Sequence, residues 1–293
     1  MSDPMNLCVV AIARNETPYL LEWVAYQKVI GADHIVIYDN GHDAPGRRLL
    51  QALDRAAVIT CVSWRGHFPH GPQVPAYEDA LERLRGTSKW VLFCDLDEYA
   101  VPVEADRLTD VLAAADDLDG MWLPWLIFGS SGELVHRPAP VIQRFQRRQY
   151  ADADTVTPVK SVVRPTRVVR PHLHVHHLET TAYGNPRGER DFLLARDGVS
   201  RRSAQPARGM DIARIHHYMT KSQSEWRAKV ARGRADRGWA DNVVSRDPDE
   251  FARWNLNEVR DSTALRFLPA LREEMAALQL LAAGVETSAG ALQ

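Results

Sequence analysis

A doubly wound, mostly parallel α/β sheet with helices at its C-terminal end is the fold class this sequence predicts, on three observations. Short apolar runs recur (Asn6 to Ala13, His34 to Tyr38, Trp90 to Cys94), as strands buried on both faces require. Helical patterns alternate with them through short connections, the sign of parallel strands joined by crossovers. A polar cluster then closes each run: Arg14-Asn15-Glu16, Asp39-Asn40 and Asp95-Leu96-Asp97. Ligands of such sheets bind beyond the carboxyl ends of the strands, so three clusters on one edge point to a nucleotide-type site.

The first run gives way to Thr17-Pro18, a helix start with Thr as N-cap and Pro in the first turn. Leu20, Leu21, Trp23, Val24 and Val29-Ile30 give that helix its apolar face, and Gly31 ends it. The strand at His34 is followed by a helix from Pro45 towards Ala56 and a strand from Val58 to Trp64. A loop rich in Gly, Pro and His leads to a helix from Ala76 to Leu84, then to the strand at Trp90. Beyond Tyr99 the pattern changes. A helix from Leu108 to Ala115 precedes an aromatic strand, Gly120 to Phe128, and a glycine-flanked loop ending at Glu133. Strands are expected at Val141 to Arg148, Val159 to Arg164, Val168 to His176 and Ile212 to Tyr218, with a long polar loop over Ala182 to Gly209. Helices near Ser224 to Arg232, Asp249 to Asn255 and Ala264 to Leu281 close the chain.

The 293 residues are long for a single core and carry a formal net charge of −2. That charge excludes bulk electrostatic binding to nucleic acid. No apolar stretch is long enough to span a bilayer, and the N-terminus lacks the charged-then-apolar order of a signal peptide. Cys8, Cys61 and Cys94 each sit in an apolar run, without a disulfide framework or a metal pair, which points to a reducing setting. Basic charge is mostly Arg, with lysine only at Lys28, Lys89, Lys160, Lys221 and Lys229. The bias fits phosphate contacts or simply a GC-rich genome. The expected location is a bacterial cytoplasm, with peripheral attachment to the inner membrane and a homodimer both left open.

Asp95 and Asp97, two apart at a strand end, can approach one hard cation, Mn²⁺ or Mg²⁺, held by one or two carboxylates plus substrate phosphates. A strand-end turn, which Asp favours, is the plain alternative. No Gly-x-Gly-x-x-Gly follows the first strand, so a dinucleotide fingerprint is excluded. His172, His174 and His176 alternate and would share one face of a strand, open to zinc or, more simply, to solvent.

An ordered series carries a resemblance. Ala13-Arg14-Asn15-Glu16-x-x-Tyr19-Leu20-x-Glu22-Trp23 and Gly31-Ala-Asp-His-Ile-Val-Ile-Tyr38-Asp39-Asn40 open it. Gln73-Val-Pro-Ala-Tyr77, Lys89-Trp90, Asp95-Leu-Asp97-Glu98-Tyr99 and Phe128-Gly129-Ser-Ser-Gly132 continue it. Val159-Lys160-Ser161-Val-Val-Arg164-Pro165 and His216-His217-Tyr218-x-Thr220-Lys221-Ser222-x-x-Glu225-Trp226-x-x-Lys229-x-x-Arg232-Gly233 complete it. The series resembles glycosyltransferase family 92 and its family 2 relatives.

The resemblance implies a GT-A fold over residues 1–233, with a nucleotide-binding half (1–99), an acceptor-side half (100–233) and a C-terminal helical extension (234–293). It implies a nucleoside-diphosphate sugar donor, UDP by expectation, a glycan or small-molecule acceptor, and Mn²⁺ or Mg²⁺. Ala13, Arg14, Asn15, Glu16, Gln73 and Leu96 would line the nucleotide pocket, with Asp39 on the base or ribose. Asp95 would serve the ribose side of the metal-diphosphate, Asp97 the metal, and His217 would be the late histidine ligand. Lys160 and Lys221 would neutralise the diphosphate, and His174 would contact donor or acceptor. An inverting transfer needs a base for the acceptor hydroxyl. Glu133, the first acid after Asp119, is the candidate, with Asp152 and Asp154 behind it. Trp122, Trp125 and Phe128 suit either sugar stacking or the core. A nucleotidyltransferase and a non-catalytic glycan-binding protein are the alternative readings.

Overall fold

The computed structural model describes residues 4–151, 159–173, 176–178, 182–190, 193–195, 201–203, 207–232 and 250–290. In chain order the first elements are β1 (Met5–Ala13), α1 (Thr17–Val29), β2 (His34–Asp39), α2 (Ala44–Arg55), β3 (Thr60–Ser63), α3 (Gln73–Leu84) and β4 (Ser88–Phe93). Then come β5 (Glu98–Pro102), α4 (Leu108–Ala114), β6 (Gly120–Ile127), α5 (Val141–Arg144), β7 (Arg147–Arg148) and β8 (Val159–Val163). Short strands follow: β9 (Val168–Arg170), β10 (His177–Leu178), β11 (Tyr183–Gly184), β12 (Leu193–Ala195) and β13 (Arg201–Ser203). The last are β14 (Ala213–His217), α6 (Gln223–Arg232), α7 (Glu250–Trp254), β15 (Val259–Arg260) and α8 (Leu268–Gly290).

One sheet organises the chain, in the order β3-β2-β1-β4-β8-β6-β14-β5, with β11 paired to the start of β6. The first four strands are parallel, as the alternation of strand and helix predicts. β8 then enters antiparallel to both β4 and β6, and β14 resumes parallel pairing with β6. β5 closes the far edge antiparallel to β14. This is the mixed, mostly parallel α/β architecture with C-terminal helices that the sequence predicts.

Both faces of the sheet are buried, and the side-chain period of two decides which residue faces which layer. Along β1, Leu7, Val9, Ala11 and Ala13 enter the larger core, beneath α1, α4 and α8, while Cys8, Val10 and Ile12 enter the smaller one with α3. α1 is buried over most of its surface because α8 covers the side turned away from the sheet, and Leu271 and Leu278 of α8 lie inside the larger core.

Several expected elements differ. The strand foreseen at Val141 to Arg148 is the turn of helix α5 followed by two residues of β7; the Val141 amide donates to buried Glu22 rather than to a ladder (2.7 Å). The strand foreseen over Val168 to His176 stops at Arg170, before Pro171, which has no amide to give a ladder. The histidine row therefore does not form as one strand face. His176 is buried against Phe93 (ring centroids 4.6 Å apart) and His172 donates its amide to it, while His174 lies outside the described residues, as do Asp152 and Asp154. The Ala182 to Gly209 loop contains β11 and the β12–β13 pair. β5 was not foreseen at all.

The segment after α7 straps the loop that follows the aromatic strand. Asn255 accepts the Ser130 amide (2.7 Å) and Asn257 the Ser131 amide (2.8 Å). Glycine is needed at Gly129 because a Cβ there would lie 2.4 Å from the Leu256 carbonyl oxygen.

Candidate functional site

The turn between β4 and β5 holds Asp95, Leu96, Asp97 and Glu98. It is fixed from several sides. The Asp95 and Glu98 carbonyls accept the Trp23 indole (3.1 and 3.2 Å), and the Glu98 carboxylate accepts the Asp95 amide (3.0 Å). Leu96 is buried in the larger core, which turns its neighbours outward. The two aspartates therefore start from one rigid turn and diverge.

Asp95 is partly exposed, but both its oxygens are engaged. Its oxygens accept Gln73 Nε2 (3.0 Å) and Lys160 Nζ (2.9 Å), and Lys160 also reaches Glu98 (3.1 Å). Lys160 comes from the middle of β8 and is 1% exposed. Burial opposes its charge, but Asp95 and Glu98 outweigh it and hold its pKa well above the ordinary lysine value. Burial dominates at Glu98, with Asp95 and Asp97 adding to it against Lys160, and its pKa rises to about 8.

Asp97 faces a second corner. Lys229 of α6 donates to its Oδ2 and also to the Met219 carbonyl (2.9 Å). His217, at the end of β14, presents Nε2 3.6 Å from Oδ1, beyond hydrogen-bonding range. Burial would raise the Asp97 pKa, but Lys229 and His217 together keep it well below the ordinary carboxylate value. Burial lowers that of His217 despite Asp97, so the imidazole is neutral at neutral pH and has a lone pair to give. Its Nδ1 and the Glu98 Oε1, 3.9 Å apart, are both buried without a hydrogen-bond partner.

This donor set fits a divalent ion. A neutral imidazole nitrogen and a carboxylate oxygen lie 3.6 Å apart, and the Glu98 carboxyl stands behind the histidine, where a carboxyl group can orient a metal-bound imidazole. Among the described residues no cluster of three or more His, Cys, Asp or Glu groups is arranged to hold a metal, so the remaining ligands would be donor oxygens and water.

Beside this corner lies a cavity of about 420 Å³. One wall is the β1–α1 turn (Asn15, Glu16, Pro18, Tyr19) and the other runs from Met219 to Arg232. Non-glycine residues hold the left-handed region on both walls, Asn15 at φ 48° and Lys221 at φ 52°, a strained conformation that clusters at functional sites. Lys221 lies over the Tyr19 ring (4.2 Å), and Arg232 pairs with Glu16. Glu225 clamps the start of α6: it accepts both Arg144 nitrogens (2.9 and 2.6 Å) and the Tyr19 hydroxyl (2.8 Å).

Of the residues singled out from sequence, Asn15, Glu16 and Lys221 meet at this cavity, and Asp97 meets His217. Ala13 ends β1 opposite Asp39, and Arg14 is half-buried beside it. The Asp39 carboxylate is occupied by His42 (2.7 Å), the Gly41 amide (2.9 Å) and Arg65 (3.1 Å); these outweigh burial and hold its pKa at about 2. Asp39, Gln73, Asp95, Lys160, Asp97 and His217 are not part of the cavity lining, and Lys229 links Asp97 to it. Glu133 is ion-paired with Arg137 and Arg144 (3.4 Å). Trp122, Trp125 and Phe128 are all core residues. Lys229 and Arg232 carry no assigned role in the sequence reading, and Glu98 only a structural one. The signal was the i, i+4, i+7 spacing of Glu225, Lys229 and Arg232, which puts them on one helix face.

A model of the family described as Glycosyltransferase family 92 matches residues 3–238. The chain belongs to glycosyltransferase family 92. Two curated relatives are a family 92 protein of Oryza sativa subsp. japonica, 30% identical over 108 residues, and one of Ricinus communis, 32% identical over 101. The matches cover 36% and 33% of this chain, and only 18% and 17% of those longer proteins. Both relatives are from plants and lend no support to a bacterial cytoplasm. Among solved structures, S. aureus TarS 1-349 in complex with UDP matches at 16% identity and TM-score 0.35, over 55% of this chain and 47% of that one. Its complex with UDP-GlcNAc gives 17% and 0.33, over 55% and 46%. Likenesses this distant carry no argument about the donor. No described helix is long and apolar enough to cross a membrane.

Proposed function

We propose that this chain is a metal-dependent, inverting glycosyltransferase that moves a sugar from a nucleoside-diphosphate donor, UDP first among them, to a hydroxyl of a glycan or small-molecule acceptor. The observation that carries this reading is the Asp97–His217 pair, joined through Lys229 to a cavity whose wall also bears Lys221 and Arg232. Asp97 and His217 would hold Mn²⁺ or Mg²⁺, which as a Lewis acid would offset the charge developing on the departing diphosphate. Lys221, on the cavity wall, would meet the same diphosphate, and Asp95, held by Gln73 and Lys160, would serve the ribose. Glu133 takes the acceptor hydroxyl's proton as the new sugar–oxygen bond forms and the bond to the nucleoside diphosphate breaks. To do so it must part from Arg137, its more exposed partner.

The test is calorimetric titration with UDP and a panel of other nucleoside diphosphates, with and without Mn²⁺, on the wild type and Asp97→Asn. At least one nucleotide should bind about tenfold or more tightly with Mn²⁺, and Asp97→Asn should abolish that gain. Transfer should release nucleoside diphosphate; pyrophosphate release would instead make the protein a nucleotidyltransferase. Absence of metal-dependent binding across the panel would sink the reading.

A further inference from the structure

The ion pair between Lys229 and Asp97 makes no sense as a permanent bond if Asp97 is to hold a divalent ion. A buried carboxylate needs a counter-charge at all times, and in the donor-free protein Lys229 supplies it. Its place at the cavity edge matters. Lys229 reaches Asp97 on one side and lines the cavity on the other, so a diphosphate lodged there would face the same ammonium group. The helix that carries it is locked at its first turn by Glu225, through Arg144, Tyr19 and the Ser222 amide (3.1 Å). Only the flexible lysine stem has to move.

We propose that Lys229 is a placeholder cation: it occupies Asp97 while no donor is bound, disfavours a divalent ion there, and passes to the donor's diphosphate when donor and metal arrive together. The proposal rests on the reading of Asp97 as a metal ligand and adds an order to it. An ammonium group bonded to one carboxylate oxygen repels a divalent ion approaching the other at close range, where like-charge terms are large. Two further phosphate charges reverse that balance by giving the ammonium a better partner. Metal without nucleotide therefore binds weakly, and the two bind as one unit. Arg232 repeats the arrangement at the other end of the wall, bonded to Glu16 and to the Asn15 carbonyl (3.4 Å).

The experiment measures Mn²⁺ affinity of the nucleotide-free protein, by the electron-spin-resonance signal of free Mn²⁺, for the wild type, Lys229→Met, Lys229→Arg and Asp97→Asn. Lys229→Met should bind Mn²⁺ at least about tenfold more tightly than the wild type, because a short-range repulsion is gone. It should also bind UDP with Mn²⁺ about tenfold more weakly, having lost a diphosphate contact. Lys229→Arg keeps the charge and should stay near the wild type on both counts, and Asp97→Asn should bind no Mn²⁺. Melting temperatures show that each variant is folded, and Lys229→Arg carries the comparison should the Met variant fail to fold: a clear rise in its nucleotide-free Mn²⁺ affinity would then overturn the proposal. Unchanged Mn²⁺ affinity in Lys229→Met, with metal-dependent UDP binding intact in the wild type, overturns the placeholder and leaves the transferase reading standing. Loss of metal-dependent nucleotide binding in the wild type overturns both.

Discussion

The two aspartates of the β4–β5 turn each meet a lysine, yet the two corners are built for different ends. Lys160 rises from the middle of a strand, is buried against Asp95 and Glu98, and does not line the cavity beside Asp97. Lys229 projects from a helix face, shares its carboxylate with a histidine, and borders open volume. A lysine with nowhere to go is a fixed counter-charge, while one at a cavity edge can be recruited by a second anion. Trp125 stands between them, with Lys160 Nζ 5.9 Å from its ring centroid and the His217 ring 4.4 Å away, edge-on. Chemistry that looks duplicated in sequence is divided in space.

Three stability measurements would break or sharpen this contrast. The largest effect is expected from Lys160→Met, which leaves buried Glu98 and the partly exposed Asp95 without their shared ammonium partner and should cost about 3–5 kcal/mol in urea unfolding at pH 7. Lys229→Met should cost less, about 1–2 kcal/mol, because Asp97 keeps His217 beside it, which can take up a proton in place of the lost ammonium. The reverse order would erase the distinction. Trp125→Phe should come next, at about 1–2 kcal/mol from the space it vacates, and should also weaken Mn²⁺-dependent UDP binding by loosening His217. An effect on stability alone would separate the two corners completely.

A fourth measurement concerns Glu98 and pH. Its folded-state pKa is raised to about 8 from an ordinary 4.5, so between those values the folded protein keeps a proton that the unfolded chain has lost. Stability from this group therefore falls as pH rises through that window. Glu98→Gln mimics the protonated form and removes the dependence. It should gain on the wild type at pH 8 relative to pH 5, by up to about 3 kcal/mol when the whole shift is expressed. Equal pH profiles for the two proteins would show that Glu98 is ionised throughout, paired with Lys160.

The half of the fold that was legible is the half made of local signals. β1, β2 and β4 are continuous apolar runs because both their faces are covered, and Thr17-Pro18 marks the start of α1 in two letters of sequence. β5 was illegible for the opposite reason. Glu98-Tyr-Ala-Val-Pro has an acid at its head and a proline at its end, and it is a strand only because β14 pairs with it much later in the chain. The site divides the same way. Asp97 and His217 stand out by residue type and motif, whereas Lys229 is one ordinary lysine on a polar helix until tertiary contact sets it against Asp97. Glu133 shows the converse: a suggestive loop position whose two arginine partners no local pattern announces.

The pairing of β14 with β5 also has a temporal consequence. Asp97 lies on the strand-end turn of the first half, but Lys229 follows it by 132 positions, and His217 is held by a strand that must find both β6 and β5. Contacts so distant along the chain close late in folding, since the entropy of the intervening loop must be overcome first. During synthesis the first four parallel strands can assemble while the turn at Asp97 has neither its histidine nor its lysine. A ribosome-bound fragment ending before β14 would therefore carry a sheet with an unfinished edge and a carboxylate still open to water. The chemistry of this protein is completed by nearly the last part of the family-matched chain to emerge.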